Sequence, residues 1–104
     1  MPGRRSLLIA ALGFLRCRPT DVRAFAALDR WLSTWNGVGL IVAGMERQGY
    51  DLELLRQDGL GWRASFYVTG RIHSFTDTTG TAFATTPWEA VQQAAWNALA
   101  ASGR

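Results

Sequence analysis

With 104 residues, 48% of them hydrophobic, and a mean hydropathy of -0.01, the chain can support one domain and not two with separate cores. Cys17 is the only cysteine, which excludes an internal disulfide and a cysteine-built zinc site and points to a reducing cytoplasm. The formal charge of +3 does not by itself indicate a nucleic-acid binder: Arg4, Arg5, Arg16 and Arg18 precede Pro19, and from there on seven arginines meet eight carboxylates.

Two units are expected, a basic and apolar N-terminal segment (1–18) and a single α+β domain (19–104). Ser6 to Leu15 follows two arginines and imitates the apolar stretch of an export signal. Ten residues cannot cross a bilayer as a helix, no small-residue cleavage site follows, and Arg16 and Arg18 stand where export signals avoid positive charge. An extra helix, a strand packed on the domain or a loosely ordered tail are the remaining readings. All basic residues are Arg, which with abundant Ala and Gly reflects GC-rich coding, as in a bacterial source, more than selection for phosphate-binding forks.

Thr20 and Asp21 supply a helix start, and Val22, Phe25, Leu28, Leu32 and Trp35 then recur at helical spacing, predicting a helix over 21–35 that Asn36-Gly37 would stop. Val38 to Arg47, Tyr50 to Arg56 and Trp62 to Thr69 read as three strands of an antiparallel meander, separated by Gln48-Gly49 and by Asp58-Gly59-Leu60-Gly61. Paired residues share a face, so keeping the apolar sets together requires Leu54 opposite Ala64 and Leu52 opposite Phe66. The other face then pairs Leu55 with Arg63, Glu53 with Ser65 and Asp51 with Tyr67. Strand 38–47 is apolar on both faces. A three-residue loop with Gly49 left-handed turns Ile41 and Met45 outward, whereas a two-residue turn exposes Leu40 and Val42 instead.

The polar stretch Arg71 to Thr85 predicts a loop with a short fourth strand near Thr81 to Ala84. Thr86-Pro87-Trp88-Glu89 has the form of a capping box with proline at the first helical position, and it opens an amphipathic helix over 86–101 that packs on one sheet face. Trp96 lies off the apolar stripe of that helix, as a wedge under the 71–85 loop or as a partner contact.

Candidates for chemistry are few. His73 with Ser74 and Asp77 offers a base, a nucleophile and an orienting acid, the basis of a hydrolase alternative, though polar residues in a Thr-rich loop have the same composition. Gly37, Gly39 and Gly44 follow a helix and enter a predicted strand, the reverse of a phosphate-binding loop. No metal-ligand set or cofactor fingerprint stands out. Arg63, Tyr67 and Arg71 could form an aromatic and basic face that stacks bases, opposed there by Asp51 and Glu53.

The predicted order of helix, three strands and helix over 21–101 resembles the topology of the double-stranded-RNA-binding domain. That family carries a basic cluster at the start of its last helix, where this chain has Thr86, Pro87, Trp88 and Glu89. Locally, Tyr50-Asp51-Leu52, the Asp58-Gly59 turn, Gly61-Trp62-Arg63-Ala64-Ser65-Phe66 and Thr86-Pro87-Trp88-Glu89-Ala90 resemble the N-terminal module of HicB-type antitoxins across residues 50–101. The resemblance implies a module that binds a small protein and oligomerises, such as an inhibitor from a mobile element. The expected function is therefore non-enzymatic protein interaction, with another protein or a second copy as partner. Ile41, Met45, Leu55, Arg63, Tyr67 and Trp96 are the candidate contact residues.

Overall fold

The computed structural model describes residues 8–9, 11–13, 22–70 and 79–102. An apolar stripe on the first long helical segment meets its limit at Ser33-Thr34, where the helix breaks and restarts in a new direction. The first piece, α1 (Val22–Leu32), is followed at once by α2 (Trp35–Arg47). Thr34 caps the restart: its backbone is extended (φ -146, ψ 172) and its Oγ1 accepts from the Gly37 amide at 3.1 Å. Asn36-Gly37 thus belongs to the first turn of a helix and does not stop one. Gly37 is required there by space, since a Cβ would run into the Leu32 carbonyl at the end of α1.

The predicted strand 38–47 is therefore corrected to helix. Its apolar residues on both faces of a hypothetical strand are better explained by the stripe Val38, Ile41 and Met45, spaced three and four apart and all buried. Met45 and Ile41, expected to point outward on one of the two strand registers, lie in the core at 0% and 1% exposure. Burying Val38, Ile41 and Met45 contributes about 1.5–3 kcal/mol each, which together outweighs the roughly 1 kcal/mol of helix propensity lost at each of Gly37, Gly39 and Gly44. Gly49 is left-handed (φ 91), as one of the two sequence readings required, but its setting is the end of α2, where the Gln48 and Gly49 amides return to the Met45 and Glu46 carbonyls.

The sheet contains β1 (Tyr50–Gln57), β2 (Gly61–Val68) and β3 (Gly80–Ala84) in the order β1-β2-β3, antiparallel throughout. The expected β1–β2 register holds at every pair, including Leu52 with Phe66, Leu54 with Ala64 and Leu55 with Arg63. The strand predicted as a short fourth one is the third, because the first is helical. The α+β class and the C-terminal helix on one sheet face stand.

That helix, α3 (Pro87–Ser102), begins as its sequence requires: the Glu89 amide donates to Thr86 Oγ1 at 3.3 Å and the Ala90 amide to the Thr86 carbonyl at 3.1 Å. Ala90, Val91, Ala94, Ala95, Ala98 and Leu99 form its buried stripe against Ala64, Phe66 and Ala82 of the sheet. α2 completes the layer beside α3 and over β1. Residues 8–9 and 11–13 are also helical, and Leu12 joins the core at 1% exposure while Leu8 meets Gly44 of α2.

The small side chains of α3 set how near it comes to β3. At Gly80 a Cβ would collide with the backbone of Ala94 and Ala98, neither of which can yield as a flexible side-chain end would. Gly80→Ala is expected to cost at least ~2 kcal/mol in denaturant unfolding. Gly39→Ala, at an exposed helical position with nothing near the added methyl, is expected to stabilise by about 0.5–1 kcal/mol.

Candidate interaction surface

The sheet face away from α3 was the expected contact surface, and the structure closes most of it. Tyr67 is buried at 2% exposure and Ser65 at 0%. Glu53 Oε1 accepts from Arg63 Nη2 at 3.1 Å and from the Tyr67 hydroxyl at 3.2 Å, while Ser65 and Thr81 share a hydroxyl hydrogen bond of 2.9 Å. The Arg63 side chain is only 16% exposed. Glu53 opposed the nucleic-acid reading in the sequence, and here it holds both of that reading's residues: the ring proposed for stacking is buried, and the cation beside it is engaged. Arg71, His73, Ser74 and Asp77 lie outside the described residues.

Burial raises the Tyr67 phenol above its ordinary value of 10.0, with the Glu53 charge and the hydrogen bond to Glu53 adding to it. The Ser65 hydrogen bond and the Arg63 charge act the other way. Of the other expected contact residues, Leu55 is exposed at 42%, in a cross-strand row with Arg63 and an exposed Phe83. Trp96 is half-buried, and a Cβ on Gly13 would touch its indole at 3.2 Å, so the off-stripe ring packs against the N-terminal helical residues.

Large apolar surface is also presented at the elbow between α1 and α2, where Trp31 is 63% and Trp35 57% exposed, besides Leu60 in the β1–β2 turn and Phe83 on β3. Leu28 and Leu32 turn to the core side of α1, which by the 100° step of a helix leaves Arg23, Ala27, Arg30 and Trp31 on its outer side, all four exposed. Trp35 opens α2 and sets its ring edge-on to Trp62 at the start of β2 (centroids 5.7 Å, planes 77°) and to Trp88 at the start of α3 (6.4 Å, 89°). One indole thus braces the elbow to the sheet and to the last helix while leaving much of its own surface outward. Gln92 of α3 adds a second brace, donating from Nε2 to the Leu32 carbonyl at 3.3 Å and satisfying one of the acceptors orphaned at the end of α1.

Beside Trp31 lies an open groove of about 640 Å³ lined by Ala27, Leu28, Arg30, Trp31, Thr34 and Asn36. Its floor is apolar, and its polar groups are one guanidinium, one hydroxyl and one amide. Sequence reasoning missed this site because Trp35 was counted into the core stripe and Trp31 was passed over. The signal available was a large aromatic residue at Trp31, on the side of the helix that carries Arg23, Ala27 and Arg30. In comparison with known proteins, no family model, curated protein or solved structure matches the chain.

The Tyr67 environment makes a pH prediction. Its folded-state pKa lies above the unfolded one, so the unfolded chain ionises first and the stabilisation, intact at neutral pH, is lost as pH rises through the alkaline range. In a Tyr50→Phe background, ultraviolet titration should show the Tyr67 phenol ionising later than free tyrosine. Replacing Tyr67 with Phe should flatten the alkaline fall of the unfolding free energy.

Proposed function

We propose that this protein is an interaction module that seats a segment of another protein in the groove at the α1–α2 elbow. The single observation that carries this reading is an apolar groove lined by Trp31, with Trp31 and Trp35 each more than half exposed at the same elbow. Tryptophan is the residue type most enriched among side chains that dominate binding energy, and a monomer rarely leaves two of them uncovered together. Trp35 is held by two ring contacts and so enters a complex without losing much side-chain freedom.

Among the described residues the groove lining carries no carboxylate, imidazole or thiol, and what it does offer suits recognition by shape, apolar contact and a few hydrogen bonds. The resemblance of residues 50–101 to the HicB-type module belongs to the same class of function, a small domain that acts by holding another protein. Among the described residues no helix is long and apolar enough to cross a membrane.

Photo-crosslinking in the source cells tests the reading. A photoreactive residue in place of Ala27 is expected to give a discrete protein adduct, and the same residue in place of the exposed Glu46 on α2 is not. Trp31→Ala should abolish the Ala27-site adduct while leaving the unfolding free energy within about 0.5 kcal/mol, as for other exposed substitutions. Identical adducts from both positions, or none from Ala27, would reject the elbow as the binding surface.

A further inference from the structure

Resting on the interaction reading above, the geometry points to the class of partner: we propose that the groove takes an amphipathic helix whose apolar anchors are bordered by carboxylates. The outer side of α1 fixes both halves of that description. Arg23, Ala27 and Arg30 follow one another at the four-and-three spacing of a single helix face, and Trp31 stands four residues after Ala27 on its border. Arg23 and Arg30 are therefore two turns apart, about 10 Å along the axis, with the methyl of Ala27 between them.

Among the described residues neither guanidinium takes part in an ion pair, whereas Arg63 on the sheet pairs with Glu53. Asp29, the carboxylate nearest Arg30 in sequence, stands on the other flank of α1, where it accepts from Ser33 Oγ at 3.2 Å. Among the described residues the groove side of the helix thus presents positive charge without a compensating acid. Arg30 also lies in the last turn, where the carbonyl end of the helix favours it, so the cation is held at the groove rim by the fold itself.

The apolar half requires a helix more than an extended strand. A strand docks by backbone hydrogen bonds to an exposed sheet edge, whereas this surface is the side of a helix whose own backbone groups are already paired. A small residue at the middle of an exposed helix face lets a second helix axis approach within the 8–10 Å typical of packed helices, with the Ala27 methyl at the crossing. The eleven residues of α1 span about 16 Å, which matches about three turns of a partner and so anchors at i, i+4 and i+7. One anchor would fill the groove beside Trp31 and Leu28, and carboxylates on either side of the anchor row would reach Arg30 and Arg23.

The test uses the full chain and a synthetic probe of about 18 residues, long enough to form helix, with leucines at i, i+4 and i+7 and glutamates flanking them. Binding is followed by the quench or shift of indole fluorescence and by the gain of peptide helicity in circular dichroism. The glutamate peptide is expected to bind at least about tenfold more tightly than its lysine counterpart, and the preference should shrink with added salt. The double variant Arg23→Glu, Arg30→Glu should reverse the preference, and Trp31→Ala should weaken both peptides. Both arginines are exposed, so the double variant keeps its thermal transition, which circular dichroism verifies.

Equal binding of the two peptides, no binding of either, or an unchanged preference in the charge-reversed variant would overturn the proposal. So would displacement of the glutamate peptide by an oligothymidylate, which would assign the arginines and indoles to a nucleic acid. An Ala27-site adduct whose crosslinked segment lacks acidic amphipathic character would overturn the partner class and leave the interaction reading standing. Failure to obtain any such adduct would remove both.

Discussion

The rest of the fold depends on how closely the start of α2 approaches the end of α1. At Gly37 there is room for a hydrogen and not for a methyl, because the Leu32 carbonyl fills the space. That approach turns one amphipathic stripe into two helices at an angle, with Thr34 supplying the acceptor the new helix needs. Had the helix run on, Ile41 and Met45 could not have reached the layer that covers β1, and the core would have lacked two of its fully buried large side chains. The same corner carries Trp31 and Trp35 outward, so the constraint that organises the core also creates the exposed surface.

The second close approach, of β3 to α3, works through alanine and glycine in place of large side chains. With Gly80 against the backbone of Ala94 and Ala98, the helix sits low on the sheet and buries little per residue but leaves little empty space. The polar side chains of α3 are then used at its margins. Asn97 Nδ2 donates to the Thr81 carbonyl at 3.1 Å and Gln92 Nε2 to the Leu32 carbonyl, so the helix supplies donors both to β3 and to the end of α1. In this way the elbow is fixed to the sheet layer by one aromatic cluster and one amide, both reached from α3.

Hairpin register was legible in the sequence because the pattern over 50–68 alternates, and alternation admits only a pairing that keeps the apolar set together. The α3 start was legible because each residue of Thr86-Pro87-Trp88-Glu89 has a local job that tertiary contacts do not override. The segment 38–47 was misread for the opposite reason. Rich in Gly, Val and Ile, it satisfies strand and helix patterns alike, and the arbiter was a cap at Thr34 four residues upstream. Asn36-Gly37 carried a stop signal in isolation, yet Gly37 is small to admit a neighbouring carbonyl and not to adopt a left-handed turn. Because the outward faces of the candidate site were inferred from that strand, the error carried from Ile41 and Met45 to the surface itself.

The buried network on the far side of the sheet explains why Arg63 and Tyr67 are withdrawn from that surface while the indoles of the elbow are not. Glu53 binds both the Arg63 guanidinium and the Tyr67 hydroxyl, so an aromatic ring and a cation that looked available in the sequence satisfy each other's environment within the fold. A partly exposed ion pair of this kind adds at most about 1 kcal/mol to stability. Its larger effect is to commit polar groups inward. At the elbow the order is inverted: among the described residues Arg23 and Arg30 pair with no carboxylate, and the nearest indole, Trp31, is turned to solvent. Cations and aromatics are present on both surfaces; on the sheet Arg63 and Tyr67 are engaged while Phe83 stays exposed, and at the elbow the exposed Trp31 and Arg30 line an open groove.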